Sequence, residues 1–184
     1  MIIAVIPAKK DSSRLPNKNM KLLNGKPMLY YSLGAAKECA LIDKVYISTD
    51  SDEIEAYAVQ NGAEIVRRGP ELCGDVPIVK VYEHALQTIN KPEIKYVVGI
   101  QADHPDRNLN LTDAINYILE KKFDEVITVD GQGTINGSLK IMDANALANG
   151  KIGAVGTMMD DCTNVHYLQD LQVAEKNIII RENQ

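Results

Sequence analysis

The stretch "IIAVIPAKKDSSRLPNKN" (residues 2–19) gives the first indication of the fold, because it joins an apolar run to a polar loop. The run at residues 2–6 is apolar on successive positions, which is typical of a strand that is covered on both faces. It ends at Pro7, and four cations follow: Lys9, Lys10, Arg14 and Lys18. A buried strand that leads into a basic loop favours a phosphate-binding site. The alternative is a buried strand followed by a solvated turn.

Short apolar runs and helical segments alternate along the rest of the chain. Strands are predicted at residues 2–6, 44–48, 63–66, 96–100 and 125–129, and helices at residues 28–38, 51–61, 77–89, 111–120 and 170–182. This alternation predicts an α/β fold with a mostly parallel central sheet and helices on both faces. A chain of this length is most simply one domain, residues 1–184.

The composition excludes several classes of partner. The formal net charge is −5 at pH 7, which argues against general binding to nucleic acid or to a membrane surface, since both are anionic. No stretch approaches the ~18 consecutive apolar residues that a membrane-spanning helix needs. Three cysteines, Cys39, Cys73 and Cys162, are widely spaced and form no C-x-x-C pair. They indicate reduced thiols and a cytoplasmic protein.

Polar residues follow each predicted strand at the point where it ends. In an open α/β sheet these positions meet in one crevice, where ligands bind. The first four strands are followed by Lys9, Lys10, Ser12, Ser13, Arg14, Lys18 and Asn19, by Ser48, Thr49 and Asp50, by Arg67 and Arg68, and by Gln101, Asp103, His104, Asp106 and Arg107. Cationic and amide side chains together with a carboxylate at one edge of the sheet suit a nucleoside triphosphate with Mg²⁺. Phosphoryl oxygens need N–H donors, and Mg²⁺ needs a hard carboxylate ligand.

The opening loop also carries a recognisable motif. In "IPAKKDSSRLPNKNMKLLNGKPMLYYSLGAAKE" (residues 6–38) the matching positions are Pro7, Ala8, Ser12, Arg14, Leu15, Pro16, Lys18, Asn19, Gly25, Lys26 and Pro27. Further matches follow in order: "VYISTDSDEI", "GAEIVRRGPEL", "IQADHPDR", "NGSLKIM" and "LQDLQVAE". The chain thereby resembles the sugar-acid cytidylyltransferases, the family of the synthetases of CMP-acylneuraminate and CMP-3-deoxy-manno-octulosonate.

This resemblance implies a Rossmann-like nucleotide-diphospho-sugar transferase fold and a reaction. A hydroxyl of the acceptor attacks the α-phosphorus of CTP, and pyrophosphate leaves. The implied partners are CTP and a small-molecule acceptor, and the implied cofactor is Mg²⁺. In such a reaction the protein contributes positioning and charge neutralisation.

The resemblance also implies a role for each matching residue. Lys18 and Lys9, the implied catalytic residues, would neutralise triphosphate oxygens, with Lys9 standing where the family usually has Arg. Ala8, Ser12 and Arg14 belong to the phosphate-binding loop. The residues implied near cytidine and its ribose are Asn19, Arg68 and Gln101. The metal ligands are expected to be Asp103, which matches an acid of the family, and His166.

One departure from the family pattern concerns the second metal ligand. Four residues before the Asp170-Leu171 pair the family usually has Asp, whereas this chain has His166, and Asn164 replaces a further acid. Imidazole is a poor ligand for Mg²⁺. Three interpretations stay open: Asp103 acts with phosphates alone, Asp160 or Asp161 reaches the site, or the metal site is weakened. His166 itself is most simply a polar residue at a helix start.

A second departure is a deletion. Only "DGQGTI" (residues 130–135) separates the fifth strand from the "NGSLKIM" match, where relatives usually carry a longer insert that builds the acceptor pocket and the dimer arm. A smaller acceptor, such as a phosphorylated or phosphonate compound, is therefore an alternative to a sugar acid, and a homodimer stays open. Other functional hypotheses are a nucleotidyltransferase or glycosyltransferase of this fold with another nucleotide, and a non-catalytic nucleotide-binding protein.

Overall fold

The computed structural model describes residues 1–12 and 14–183, so Ser13, one of the strand-end residues named above, lies outside the described residues. A seven-stranded sheet forms the centre, and a two-stranded hairpin lies apart from it. The strands are β1 Ile2–Pro7, β2 Leu22–Leu23, β3 Lys26–Pro27, β4 Lys44–Thr49, β5 Glu64–Arg67, β6 Tyr96–Ile100, β7 Glu125–Val129, β8 Ile135–Asp143 and β9 Val155–Met159.

Six helices connect or flank these strands: α1 Met28–Glu38, α2 Asp52–Gln60, α3 Ile78–Ile89, α4 Leu111–Lys121, α5 Ala144–Asn149 and α6 Leu168–Glu182. Short 3₁₀ turns occur at Lys18–Met20 and Pro70–Leu72. The start of α2 is fixed by Ser51, because its Oγ accepts a hydrogen bond from the Ile54 N–H at 3.3 Å. None of the helices in the described part of the chain combines the length and apolarity that a bilayer span requires.

The sheet has the strand order β5-β4-β1-β6-β8-β7-β9. Only β8 runs antiparallel to its neighbours, because it returns from β7 through a short hairpin and inserts between β7 and β6. All other pairs are parallel. The prediction of a mostly parallel sheet is confirmed, and the parallel pairing brings the carboxyl ends of β1, β4, β5 and β6 to one edge.

Helices cover both faces of the sheet, as predicted. In β1, Ala4 and Ile6 pack in a core with residues of α1, α2 and α4, whereas Ile3 and Val5 pack on the opposite face with residues of α3 and α5. Alternate side chains of a strand point to opposite faces. An unbroken apolar run therefore serves two cores at once, which explains why residues 2–6 are all apolar.

A third core joins the opening loop to the end of the chain. Leu15 and Leu23 pack with Val165 and with Leu171, Ala174 and Ile178 of α6. The basic loop after β1 is thus held from the side by the segment before α6 and by α6 itself. This packing brings Val165 and His166 to the same edge of the sheet as Lys18.

Candidate active site

Two adjoining pockets lie at the carboxyl edge of the parallel strands, with cavity volumes of ≈ 130 Å³ and ≈ 600 Å³. Nine of the ten residues singled out from the sequence line them: Lys9, Ser12, Arg14, Lys18, Asn19, Arg68, Gln101, Asp103 and His166. Lys9, Ser12, Lys18 and Asp103 line both pockets, so they form the boundary between the two. The pocket of ≈ 130 Å³ is the narrow pocket, and the pocket of ≈ 600 Å³ is the wide pocket.

Lys18 lies at this boundary because a tight turn precedes it. Asn17 adopts the left-handed conformation, with φ 54° and ψ 34°, which Asn tolerates better than most residues. The Lys18 Nζ donates to Asp103 Oδ2 at 2.8 Å and to the carbonyl oxygen of Val165 at 2.9 Å. The side chains of Lys18 and Asp103 keep only 11% and 22% of their exposure. Lys18 is therefore a fixed, largely buried charge at the floor of both pockets.

The loop after β1 is closed by hydrogen bonds to its own backbone and to β4. Asn19 Nδ2 donates to the Lys9 carbonyl oxygen at 2.9 Å, and the Lys10 N–H donates to Asp50 Oδ1 at 2.7 Å. Ala8 is buried and lines neither pocket, and its N–H donates to the Ser48 carbonyl oxygen at 2.9 Å. The structure therefore assigns the N–H of Ala8 to the sheet and not to the pockets.

Asp103 is the acid at the centre of the site. Its Oδ1 lies 3.1 Å from Nδ1 of His104, and its backbone carbonyl accepts from the Val165 N–H at 2.8 Å. Burial raises the pKa of the Asp103 carboxyl, but the hydrogen bond with His104 and the charge of Lys18 outweigh burial, and the pKa lies well below its ordinary value. The carboxylate is consequently ionised at neutral pH.

Arg68 and an apolar segment form the wall of the narrow pocket. The guanidinium of Arg68 donates to the Ser48 carbonyl oxygen at 2.7 and 3.1 Å and to that of Leu72 at 3.4 Å, and burial lowers its pKa. The rest of the wall was missed from the sequence: Leu72, Gly74, Val76, Ile78 and Val81. The Gly-Pro pair at residues 69–70 and Gly74 marked this segment as a loop beside the site.

Gln101 lies at the floor of the narrow pocket, where its backbone is fixed on all sides. Its N–H donates to the Ser138 carbonyl oxygen at 3.1 Å, and its own carbonyl accepts from Ser32 and from the guanidinium of Arg107. Arg107 also donates to the Ser138 carbonyl oxygen at 2.6 Å. The inserted strand β8 therefore braces the end of β6 from which Gln101 and Asp103 project.

His166 lies in the wall of the wide pocket, two residues before α6. Its N–H and that of Tyr167 donate to Asp170 Oδ2, both at 2.8 Å, so Asp170 caps the helix. Burial, followed by the charges of Arg14 and Lys18, lowers the pKa of the imidazole. His166 is thus a neutral, polar group at neutral pH and occupies a helix start, as the simplest interpretation of the sequence predicted.

Comparison with known proteins identifies the group to which this chain belongs. The family model described as "Cytidylyltransferase" matches residues 3–175. The chain belongs to the cytidylyltransferase family. The N-acylneuraminate cytidylyltransferase of Oncorhynchus mykiss is 34% identical over 134 residues, which are 70% of this chain and 30% of that protein. The 3-deoxy-manno-octulosonate cytidylyltransferase of Christiangramia forsetii is 36% identical over 110 residues, which are 58% of this chain and 42% of that protein. This cytidylyltransferase-family chain spans less than half of the length of either relative.

Solved structures show the same fold over nearly the whole chain. A structure of CMP:2-keto-3-deoxy-manno-octonic acid synthetase complexed with CTP superposes with a TM-score of 0.78 at 13% identity, covering 98% of this chain and 99% of that one. The structure of HddC from Yersinia pseudotuberculosis complexed with GMP-PN superposes with a TM-score of 0.75 at 14% identity, covering 97% of this chain and 100% of that one. These likenesses confirm the predicted nucleotidyltransferase fold of this family member.

In this cytidylyltransferase-family chain, Asp160 and Asp161 do not reach the pockets. Asp160 is buried elsewhere, where its Oδ1 accepts from the backbone N–H groups of Asn108 and Leu109 at 2.9 and 3.1 Å. Asp161 Oδ1 accepts from the Gly131 N–H at 2.9 Å. The interpretation that one of these acids completes a metal site from the nearby loop is therefore wrong, because both carboxylates are engaged by other backbone segments.

The residues present suit a metal ion that arrives with phosphate groups. Within residues 1–12 and 14–183 there is no cluster of three or more His, Cys, Asp or Glu side chains placed to hold a metal. Asp103 is an ionised carboxylate at the boundary of the two pockets, and Mg²⁺ commonly binds through one or two carboxylates plus substrate phosphates and waters. The donor set of this family member therefore fits Mg²⁺ only when phosphate oxygens supply the remaining ligands.

Proposed function

We propose that this chain transfers CMP from CTP to an oxygen acceptor, with Mg²⁺ as cofactor. In this reaction an acceptor hydroxyl forms a bond to the α-phosphorus, the bond from that phosphorus to the bridging oxygen of the β-phosphate breaks, and pyrophosphate leaves. The observation that supports the proposal most strongly is the convergence of nine predicted residues on two joined pockets, with Lys18 and Asp103 in contact between them. The CTP bound to a solved structure of the same fold supports the choice of nucleotide.

The cations of the wide pocket would receive the triphosphate. Lys9, Lys18 and Arg14 line this pocket, and ammonium and guanidinium groups form strong, charge-assisted hydrogen bonds with phosphate oxygens. Lys18 is already fixed by two hydrogen bonds, so little side-chain entropy is lost when it exchanges one of them for a phosphate oxygen. These residues would stabilise charge that moves towards pyrophosphate as the leaving group departs.

The narrow pocket would hold the cytosine base and its ribose. One wall is apolar, formed by Leu72, Val76, Ile78 and Val81, and the other offers Asn19, Arg68 and Gln101. An apolar wall with a few convergent polar groups is the usual composition of a small-molecule site. Since both Asn19 and Arg68 are tied to backbone carbonyls, the shape of this pocket is formed before the nucleotide arrives.

The charge of the wide pocket supports a requirement for Mg²⁺. The cations Lys9, Arg14 and Lys18 face an equal number of carboxylates, from Asp11, Asp75 and Asp103. A metal-free triphosphate would meet those carboxylates with no net attraction to offset the repulsion. Asp103 would hold the ion together with phosphate oxygens, and the bound ion would neutralise phosphate charge. A bound ion that neutralises phosphate charge would also reduce the repulsion between the triphosphate and the carboxylate of Asp11.

The acceptor proposed here is a sugar acid or a smaller phosphorylated or phosphonate compound. The curated relatives act, by their names, on N-acylneuraminate or 3-deoxy-manno-octulosonate, but the chain spans less than half of their length. The β7–β8 connection is only residues 130–134, so the long insert that relatives use beside the acceptor is replaced by a hairpin. All of these acceptors carry an anionic group, which suits a pocket that contains cations. Formation of a homodimer is a further proposal, to be measured by the mass of the protein in solution.

Calorimetry and pyrophosphate release test the proposed function. We expect CTP with Mg²⁺ to bind more tightly than UTP, ATP or GTP with Mg²⁺, and more tightly than CTP with EDTA. Pyrophosphate release from CTP should require one of the anionic acceptors, including 2-keto-3-deoxy sugar acids. Lys18→Ala should abolish turnover, whereas Lys10→Ala, whose side chain is exposed outside both pockets, should not.

The outcomes separate the remaining hypotheses. Tight binding of another nucleotide in place of CTP would favour a nucleotidyltransferase or glycosyltransferase with a different donor. Binding of CTP that Lys18→Ala weakens, without turnover for any acceptor, would favour a non-catalytic nucleotide-binding protein. No binding of CTP at all would refute the proposal.

A further inference from the structure

His104 has a contact that neither the sequence motifs nor the proposed reaction uses. It follows Asp103 directly and is 2% exposed. Adjacent residues ordinarily point in different directions, but the turn after β6 brings the His104 ring back, so that its Nδ1 lies 3.1 Å from Asp103 Oδ1. The other carboxylate oxygen, Oδ2, contacts Lys18 Nζ at 2.8 Å. Each oxygen of Asp103 therefore has its own partner.

The tautomer of His104 follows from its surroundings. An ionised carboxylate can only accept hydrogen bonds, so Nδ1 must carry the proton that joins the two groups. The other ring nitrogen, Nε2, is buried and has no hydrogen-bond partner among the residues that the structure describes. A proton at Nε2 would be a buried donor without an acceptor, which is costly. The tautomer with Nδ1–H and a bare Nε2 satisfies both conditions.

We propose that His104 is a positioning residue for Asp103. The hydrogen bond from its ring holds Oδ1 of Asp103, so the carboxylate presents Oδ2 to the boundary of the pockets. In the free protein Lys18 contacts Oδ2 there. When a metal–nucleotide binds, its cation would replace Lys18 at this oxygen. This inference rests on the proposed function for the identity of the ligand, but the orientation of the carboxylate belongs to the free protein. The role is comparable to that of outer groups that orient metal ligands.

The contact is not needed to hold the backbone of Asp103 in place. That backbone is already fixed by the hydrogen bond from the Val165 N–H to the Asp103 carbonyl oxygen at 2.8 Å. The neighbouring Asp106 shows the contrasting, structural case, because its carboxylate joins Thr163 and Asn177 and lines neither pocket. The ring of His104 instead bonds to a carboxylate that lines both pockets, and it fixes only the rotation of that side chain.

The first test measures the tautomer of the free protein by nitrogen-15 NMR of labelled histidine. We expect one of the three rings to show a protonated Nδ1 and a bare Nε2, and the signal of that ring should be missing in His104→Asn. Protonation of the His104 ring at Nε2 alone would overturn the proposal, because Nδ1 would then be unable to donate to Asp103. This measurement needs neither nucleotide nor metal, so its result is independent of the proposed function.

The second test compares three variants by calorimetry with CTP, with and without Mg²⁺. His104→Leu removes the donor, and we expect ~10–100-fold weaker binding of CTP with Mg²⁺, the usual loss for a group that orients a metal ligand, and an effect of under threefold without Mg²⁺. In His104→Asn the side-chain amide replaces the Nδ1–H donor, so binding should return to within about threefold of the wild type. The control His84→Asn changes a histidine of α3 whose Nε2 lies 3.4 Å from Thr88 Oγ1, and it should have no effect.

Two results would overturn the positioning role. One is an equal loss of CTP affinity in His104→Leu and His104→Asn, which would show that the packing of the ring matters and not its hydrogen-bond donor. The other is a loss of CTP affinity in His104→Leu that is equal with and without Mg²⁺. If His104→Leu does not fold, the CTP affinity of His104→Asn and the tautomer measured by NMR decide whether His104 positions Asp103. Failure of the wild type to bind CTP would refute the proposed function, whereas the tautomer would still decide whether His104 orients Asp103.

Discussion

Replacing Lys18 with Met tests the contact on which the candidate site depends. The change keeps most of the aliphatic side chain but removes the ammonium group that lies 2.8 Å from Asp103 Oδ2 and 2.9 Å from the Val165 carbonyl oxygen. The Asp103 carboxylate then remains, with 22% of its side chain exposed and with His104 as its partner. We expect the free protein to lose stability as well as affinity for CTP.

The size of the loss follows from this partial burial. Removing one partner of a fully buried ion pair costs ~3–5 kcal/mol. Because Asp103 keeps some exposure and one hydrogen bond, we expect the smaller penalty of an unsatisfied buried polar group, ~1–3 kcal/mol. For a chain of this length each kcal/mol lowers Tm by about 2–4 °C.

Urea denaturation followed by circular dichroism measures this loss at pH 7. The control is Lys10→Met, which changes an exposed lysine of the same loop. Adding Asp103→Asn to the wild type and to Lys18→Met completes a double-mutant cycle. Because the two residues are in direct contact, the coupling energy should be ~0.5–3 kcal/mol. A loss in Lys18→Met no larger than in Lys10→Met, together with a coupling energy near zero, would refute the inference that this ion pair stabilises the free site.

Three further predictions concern packing, pH and reactivity. In Gly99→Ala the new Cβ would lie 2.3 Å from Cζ of the fully buried Tyr82, so unfolding free energy should fall by ~1–3 kcal/mol, and Tyr82→Leu should restore part of it in thermal melts. Because the pKa of Asp103 is lowered in the folded state, the ionised carboxylate stabilises the fold at neutral pH, and this stabilisation is lost as pH falls below about 4. The urea midpoint of Asp103→Asn should therefore change less between neutral and acid pH than that of the wild type. Burial raises the pKa of Cys162 to about 12, so at pH 8 mass spectrometry should show far slower alkylation of Cys162 in the folded than in the urea-unfolded protein.

The sequence was sufficient for the elements that have a clear local pattern. The apolar runs of β1, β4, β6 and β7 were recognisable because each of these strands is largely buried. The shorter β5 was also found, although it lies at the edge of the sheet with Glu64 and Arg67 exposed. Their neighbouring helices were found as the helical segments that alternate with these runs. The bounds agree within about two residues, which is the usual uncertainty of an element's end.

Other elements had no such pattern. The strand β8 carries Asn136, Ser138 and Lys140 among its apolar residues, so its sequence is not that of an interior strand. The strand β9 lies at the edge of the sheet, where Val155 and Met159 are exposed. The helix α5 has six residues, too few for an apolar period to be visible. These elements form because the hairpin after β7 places them against an existing sheet.

The sequence by itself determined the fold class, the family and the set of polar residues at the carboxyl edge, because these follow from local patterns and from an ordered motif. Only the tertiary structure decided which groups meet. Lys18 contacts Asp103 across 85 positions of the chain and Val165 across 147, whereas Asp160, close to His166 in sequence, is buried away from the pockets. Such pairings depend on how separate elements pack against one another, and spacing along the chain does not encode the distance between side chains that different strands and helices bring together.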